Sequence, residues 1–220
     1  MKKVLIKVCG MRDAENIRNV ENIDVDFLGF IFYSGSSRYV GDDSGSLKMI
    51  RKCVKSKVGV FVNELVDYIS DKAELCKLDY LQLHGKETPD LCRELRQLGY
   101  SVIKAFSIAS ADDFKSAENY SDCCDYFLFD TKCADYGGSG RRFDWSLLDK
   151  YNGSTPFLLS GGLTPDCFDH LNRLEHPKFA GIDLNSGFEV SPAMKDVDKL
   201  MVFINQVRKQ GEFRSCNAIM

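Results

Sequence analysis

The stretch "FLLSGGLTPDCFDHL", residues 157–171, contains a full strand, turn and helix in sequence. The first four residues are enough for a short strand, and two glycines follow them. Thr164-Pro165 comes next, where a hydroxyl that can cap a helix precedes a proline, which the first helical turn tolerates. Phe168 and Leu171 then recur at a helical spacing. The passage therefore predicts a β-strand that leads directly into an α-helix, the unit from which parallel sheets are built.

The same alternation recurs along the whole chain. Apolar runs of strand length lie at 4–9, 27–32, 58–62, 80–84, 102–106, 126–130, 157–160 and 179–184. Segments of helical period separate them, and one begins with a second capped pair, Thr88-Pro89. Parallel strands are joined by right-handed crossovers, and eight uninterrupted units favour a closed (β/α)8 TIM barrel over an open doubly wound sheet. We expect residues 1–220 to form a single barrel domain.

Composition excludes several classes of protein. With 220 residues and 44% apolar content, the chain can bury one large core, and a net charge of −3 gives no field that would attract nucleic acid. No apolar run reaches the roughly 18 residues of a membrane span, and no signal-peptide pattern is present, so we expect a cytoplasmic protein. The nine cysteines are odd in number and lack C-x-x-C spacing, which argues against a disulfide framework and a zinc site.

Alternation within each strand predicts which side chains enter the barrel. Because Ile6 and Val8 form the apolar outer face of the first strand, Lys7 and Cys9 should point inward. The same test places further polar side chains inside, namely Asn63, Gln82, His84, Lys104, Asp130, Ser160 and Asp183, and it turns Val58 and Val60 toward the helices. Polar groups collected at the C-terminal strand ends predict a site for a polar ligand, because active sites of this architecture lie there.

Cys9 and Asp130 are the candidate acid–base residues. An isolated thiol in an apolar strand is usually a core residue, but Cys9 is the last inward residue of its strand and follows Lys7, whose ammonium favours a thiolate. Asp130 can be a turn cap or an acid. A glycine-rich stretch follows it, and we expect Gly137, Gly138 and Gly140 to give this stretch the hinge freedom of a lid.

Two loops and two side chains have alternative interpretations. Gly161-Gly162 fits a phosphate-binding turn and equally a tight βα turn, and "DLNSGFE", residues 183–189, offers a second small-residue turn after strand eight. Phosphate binds at these two loops in barrels of this kind. Arg38 can bind a carboxylate or remain solvated. His84 can equally be a histidine whose hydrogen bonds are made within the barrel, so it is assigned no catalytic step.

Eight segments, in chain order, resemble the phosphoribosylanthranilate isomerase family of tryptophan biosynthesis. They are "KVCGMR" at 7–12, "GFIFYSGSSRYV" at 29–40, "VGVFVN" at 58–63, "LQLHGKE" at 81–87, "FLFDTK" at 127–132, "GGSGRRFDW" at 137–145, "LSGGLTP" at 159–165 and "GIDLNSGFE" at 181–189. Each string is weakly specific. Their order, and their position at the strand ends, makes the resemblance strong.

The resemblance implies a (β/α)8 fold, no metal, no cofactor and an Amadori rearrangement of a small phosphosugar, N-(5-phosphoribosyl)anthranilate. It makes Cys9 the base that removes the C2' proton and Asp130 the acid that protonates the furanose oxygen. It places Arg38 at the anthranilate carboxylate. The remaining candidate substrate-binding residues are Lys7, His84, Asp183 and, at the phosphate, Gly161, Gly162, Ser186 and Gly187. We expect a monomer or a homodimer.

Three positions depart from the family pattern, and two alternative functions are left open. Arg12 stands where threonine is frequent, Asn185 where serine is frequent and Ser139, a conservative change, where threonine is frequent. One alternative is another phosphosugar barrel, such as the related isomerase of histidine synthesis or an epimerase, in which a carboxylate is expected in place of Cys9. The other alternative is a barrel that binds a phosphorylated ligand without catalysis, which would need no acid–base pair.

Overall fold

Eight parallel strands close into a barrel in which each strand pairs with its neighbours in the sequence and β1 pairs with β8. The computed structural model describes residues 3–131 and 145–217. The barrel strands are β1 (Leu5–Val8), β2 (Phe27–Ile31), β3 (Ser56–Phe61), β4 (Tyr80–Leu83), β5 (Ser101–Ile108), β6 (Tyr126–Thr131), β7 (Phe157–Ser160) and β8 (Phe179–Leu184). The predicted TIM barrel is confirmed, and no predicted strand end is displaced by more than two residues.

Helices connect the strands and cover the outside of the barrel. They are α1 (Ala14–Glu21), α2 (Ser44–Arg51), α3 (Val66–Cys76), α4 (Pro89–Gln97), α5 (Phe114–Glu118), α6 (Phe168–Arg173) and α7 (Val197–Asn217). The predicted cap of α4 is present, since the Thr88 hydroxyl accepts a hydrogen bond from the Leu91 N–H at 3.3 Å. Thr164 instead precedes a 3-10 turn, Pro165–Cys167, and its hydroxyl lies 3.6 Å from the Cys167 sulfur.

The core has two parts that meet at the sheet. The larger part lies between the sheet and the helices and includes Ile6, Val8 and Phe129. The smaller part fills the barrel interior with Phe27, Val58, Ile103, Ala105, Leu128 and Leu158. Three predicted orientations are therefore wrong. Val58 and, two residues on, Val60 point into the barrel, and Lys104, between the inward Ile103 and Ala105, points toward the helices. In both strands the inward face is the one opposite to that assumed from the sequence.

A short hairpin follows β8 and was not predicted from the sequence. Its strands are β9 (Glu189–Ser191) and β10 (Met194–Lys195), and Ala193 between them has φ +66°. The hairpin lies beside α1, where the Asn16 side chain bonds both the N–H and the carbonyl of Lys195. It places two charged residues near the C-terminal end of the barrel. Among the described helices, none is long and apolar enough to cross a membrane.

Candidate active site

Lys7, Asp183 and Cys9 meet inside the barrel on the neighbouring strands β1 and β8. Lys7 and Asp183 are register partners, and the Lys7 Nζ lies 3.0 Å from each carboxylate oxygen. The Lys7 side chain is fully buried, and that of Asp183 is 5% exposed. Cys9 follows at the strand end, where its N–H donates to the Leu184 carbonyl at 2.8 Å. Alternation along β1 thus directs both Lys7 and Cys9 into the barrel mouth.

Burial and charge act in opposite directions on these three groups. Burial raises the pKa of the Cys9 thiol, while the Lys7 ammonium and, more weakly, Lys195 lower it, so that the net pKa is raised. Burial likewise raises the pKa of Asp183 against the effect of Lys7. Burial lowers the pKa of Lys7, but Asp183 and Cys9 more than offset this, and Lys7 stays charged. Lys7 therefore favours the Cys9 thiolate as expected, but its ammonium is also paired with the Asp183 carboxylate.

Gly29 of β2 provides the space that Cys9 and Lys7 occupy. A Cβ at this position would lie 2.8 Å from the Cys9 sulfur, 3.0 Å from the Cys9 Cα and 3.1 Å from the Lys7 Nζ. No side chain fits there without moving the candidate base. The sequence analysis missed Gly29, although a glycine inside a strand does signal close approach of another group.

Asp130 and His84 lie close together at the ends of β6 and β4. Their nearest atoms, His84 Nε2 and an Asp130 carboxylate oxygen, are 3.6 Å apart, and the side chains are 34% and 28% exposed. The other His84 ring nitrogen is 2.9 Å from the Gln82 side-chain nitrogen. Asp130 is near enough to raise the pKa of Asp183 electrostatically. Asp130 is thus partly exposed to a ligand and lies beside a histidine.

Arg38 is held at the rim by the hairpin that follows β8. Its guanidinium binds Glu189 through Nε at 2.9 and 3.1 Å and through Nη2 at 2.6 Å. Lys195, whose side chain is fully buried, donates to Glu189 at 2.5 Å and to the Asn185 side chain at 2.8 Å. Burial lowers the pKa of Lys195, and Arg38 holds the pKa of Glu189 below its usual range against burial. Glu189 and Lys195 were not identified from the sequence, because nothing in the local pattern signals the hairpin.

The first βα loop lies directly beneath Arg38. Gly10 has φ +75°, and a Cβ there would lie 2.6 Å from the Arg38 Cδ and 2.9 Å from the Asn185 Oδ1. Arg12 donates to the Ser37 carbonyl at 3.2 Å and so supports the loop that carries Arg38. Arg12 and Asn185, two of the three departures from the family pattern, therefore both lie in contacts around Arg38, and the third, Ser139, lies outside the described residues.

The two glycine-containing loops after β7 and β8 pack against each other. Gly161 and Gly162 have φ values of +91° and +62°, which L side chains rarely adopt. Gly187, in the 3-10 turn Ser186–Phe188, would strike the Leu163 carbonyl oxygen if it carried a Cβ. The backbone of both loops is thus brought together at one side of the mouth, where it can approach an anion closely. The predicted lid with Gly137, Gly138 and Gly140 lies outside the described residues.

Lys104 belongs to the outer layer and not to the mouth. Its ammonium lies 3.2 Å from a buried Glu87 carboxylate oxygen and donates to the carbonyls of Leu83, Gly85 and Ala105. The outer layer also gathers Cys92 and the adjacent pair Cys123 and Cys124, which is distant from Cys92 in sequence, so sequence spacing alone could not reveal this cluster.

Comparisons with known proteins agree on one family. A family model described as "N-(5'phosphoribosyl)anthranilate (PRA) isomerase" matches residues 6–206. The chain is 51% identical over 212 residues to an N-(5'-phosphoribosyl)anthranilate isomerase of Parabacteroides distasonis, with 93% of each protein covered. The solved phosphoribosyl anthranilate isomerase of Thermotoga maritima superposes with a TM-score of 0.79 at 33% identity, covering 94% of this chain and 99% of that one.

A further solved relative carries a bound ligand. It is a phosphoribosyl anthranilate isomerase in complex with reduced 1-(o-carboxyphenylamino)-1-deoxyribulose 5-phosphate. Its TM-score is 0.78 at 30% identity, and the alignment covers 94% of this chain and 99% of the relative. The likeness therefore extends over nearly the full length of both chains.

Proposed function

The chain belongs to the N-(5'-phosphoribosyl)anthranilate isomerase family, and from this premise we propose that Cys9 and Asp130 are its catalytic base and acid. The enzyme catalyses the Amadori rearrangement of N-(5-phosphoribosyl)anthranilate to 1-(2-carboxyphenylamino)-1-deoxyribulose 5-phosphate in tryptophan biosynthesis. The observation that supports the assignment best is the position of the two side chains at the C-terminal mouth of one barrel, on β1 and β6.

Asp130 acts first in the proposed sequence. Its carboxyl proton goes to the furanose ring oxygen as the C1'–O bond breaks, and the lone pair of the anilino nitrogen forms the C1'–N double bond. Asp130 must carry a proton at this stage. The carboxylate lies 3.6 Å from the His84 Nε2. The product of this step is the open-chain Schiff base.

Cys9 then removes the C2' proton, which the positive Schiff base makes acidic. The C–H electron pair forms the C1'–C2' enamine, and ketonisation at C2' gives the aminoketose. Because burial raises the pKa of Cys9, only a minor fraction is thiolate in the free enzyme at neutral pH. Since the same enzyme molecule must also hold a protonated Asp130, we expect a bell-shaped dependence of kcat/KM on pH. A kcat/KM that falls at neither acid nor alkaline pH would contradict the acid–base pair.

Substrate orientation is assigned to the groups around the mouth. We propose that Arg38, held by Glu189, binds the anthranilate carboxylate, and that the backbone near Gly161, Gly162, Ser186 and Gly187 binds the phosphate. Lys7 and Asp183 set the charge next to Cys9, and His84 orients Asp130. The presence of a thiol rather than a carboxylate at position 9 favours this chemistry over the related phosphosugar barrels.

The test follows the loss of anthranilate-type fluorescence when purified protein meets freshly made substrate. We expect turnover by the wild type and by the controls Cys53→Ala and Asp90→Asn, which alter a buried cysteine and an exposed aspartate without a role in the proposed mechanism. Cys9→Ala and Asp130→Asn should lose at least about 100-fold in kcat, while they still bind the reduced product analogue. Cys9→Ala with more than a tenth of wild-type kcat would refute the base assignment. Analogue binding without turnover in the wild type would indicate the alternative, a barrel that binds a phosphorylated ligand without catalysis.

We also propose that residues 1–220 work as one barrel domain in the cytoplasm, as a monomer or a homodimer. The seven cysteines whose side chains the structure describes are free, as expected in a reducing compartment. Sedimentation velocity decides between the two oligomeric states. Fractionation of cells, with thiol labelling of the recovered protein, tests the location, and a disulfide-bonded or secreted pool would contradict it.

A further inference from the structure

Three buried cysteines meet in the outer layer of the barrel, away from the mouth. Cys92 belongs to α4, and Cys123 and Cys124 lie between α5 and β6. Their sulfur atoms all lie within 4.8 Å of one another. Cys92 and Cys123 are fully buried, and Cys124 is 6% exposed. The three thiols therefore form one sulfur cluster, and the isomerisation chemistry makes no use of it.

A buried ion pair lies in the same outer layer as this cluster. The Lys104 ammonium is 3.2 Å from a Glu87 carboxylate oxygen and is also fixed by three backbone carbonyls. The Cys123 thiol donates to the Tyr120 carbonyl at 3.4 Å. The sulfur cluster is therefore held among fixed groups, with the ammonium of Lys104 balanced by Glu87.

We propose that Cys92, Cys123 and Cys124 form a three-sulfur binding site for a soft monovalent metal ion of the Cu(I) class. Thiolate ligands select soft ions. A metal about 2.3 Å from each of three sulfurs in a trigonal plane separates the sulfurs by about 4 Å, which agrees with the observed spacing.

The number of ligands distinguishes Cu(I) from zinc. Structural zinc is almost always bound by four protein ligands, and a three-ligand zinc site keeps a water in the fourth position. Within the described residues, the group contains three ligands, and two of the three cysteines have no exposed surface. An ion that accepts three ligands and no water therefore suits this site.

Binding requires no change of oxidation state. The incoming Cu(I) displaces the protons of two thiols to solvent, and the third sulfur donates a lone pair while it keeps its proton. The site changes from neutral to a net charge of −1, in a layer that also contains the Lys104–Glu87 ion pair. Entry needs only local opening, because α5 is five residues long and the turn after it is covered by the exposed ion pair Arg93–Asp122.

The test titrates the purified protein with Cu(I) alone, without oxygen, in competition with a Cu(I)-binding dye. The wild type should retain one copper per chain with a near-ultraviolet sulfur-to-copper absorption band, and X-ray absorption should report three sulfur neighbours. Cys92→Ala and Cys124→Ala should lose this copper. Cys76→Ala removes a free, equally buried cysteine from α3 and should retain it. If Cys92→Ala does not fold by circular dichroism, Cys92→Ser replaces it.

Three results would overturn the proposal. The first is full copper retention by the folded Cys92 variant. The second is tight binding of Zn²⁺ at the cluster with no retention of Cu(I). The third is failure of the wild type to retain copper even after refolding from urea with Cu(I) present, since refolding removes any barrier to entry.

Discussion

Gly29→Ala should disable the enzyme through one added methyl group. The new Cβ would lie 2.8 Å from the Cys9 sulfur and 3.1 Å from the Lys7 Nζ, whereas ordinary contacts between such atoms are about 3.5 to 4.0 Å. The thiol must therefore move by about 1 Å. A displacement of about 1 Å at a reacting group can lower the rate on the order of 100-fold. Overpacking also destabilises the fold by about 1 to 3 kcal/mol.

Gly59→Ala is the matched control for this prediction. Gly59 is also a strand glycine, but it pairs with Phe30 and Leu81 on the outer face, and a Cβ there would strike Leu78 and the Phe61 ring. We expect it to lose stability without losing kcat per folded molecule, because it does not touch the mouth.

The assay for both variants is the initial rate of fluorescence loss with substrate, corrected for the folded fraction from a thermal melt. The alkylation rate of Cys9, followed by mass spectrometry, provides a second measurement that does not depend on turnover. A folded Gly29→Ala protein with kcat within about threefold of wild type would refute the reasoning, and so would an equal loss of kcat in Gly59→Ala.

Three further outcomes follow from the charged groups. Glu189→Gln removes the partner of Arg38, so KM should rise about tenfold or more with a smaller change in kcat; an unchanged KM in steady-state kinetics would contradict this. Lys7→Met should raise the pKa of Cys9 further and move its alkylation to higher pH, and it should lower the free energy of unfolding by about 3 to 5 kcal/mol by leaving Asp183 unpaired. Adding Asp183→Asn should restore much of the stability, and a double variant as unstable as the single one would argue against the ion pair. At Asp26, burial raises the carboxyl pKa, but the hydrogen bond from Arg208 outweighs it and the folded pKa is lowered. The stabilisation is thus present above the ordinary carboxyl pKa and is lost as pH falls through the folded value. Asp26→Asn should lower the free energy of unfolding by about 1 to 3 kcal/mol at pH 7 and by much less in acid, and urea melts that show a pH-independent difference would contradict this.

The alternation of apolar and polar residues correctly predicted which side chains of β1, β4, β6 and β8 point into the barrel. The same prediction was wrong for β3 and β5. In the successful strands one face is uniformly apolar, as with Ile6 and Val8, so the other face is unambiguous. In β5 both Ile103 and Ala105 fill the barrel, and the polar Lys104 faces the helices, where Glu87 balances its charge. Within the sequence of one strand, a lysine that pairs with a buried carboxylate in the outer layer cannot be distinguished from a lysine that points into the mouth.

The sequence by itself determined the order and bounds of the eight strands, because periodicity and turn residues are local properties that a strand carries wherever it packs. It also marked Cys9 and Asp130, since each stands at a strand end. Only the tertiary structure decided that Gly29 makes room for Cys9, that Glu189 fixes Arg38, and that Cys92 meets Cys123 and Cys124. These contacts depend on the register between strands and on how the helices close over them, so they arise only when distant segments are brought together.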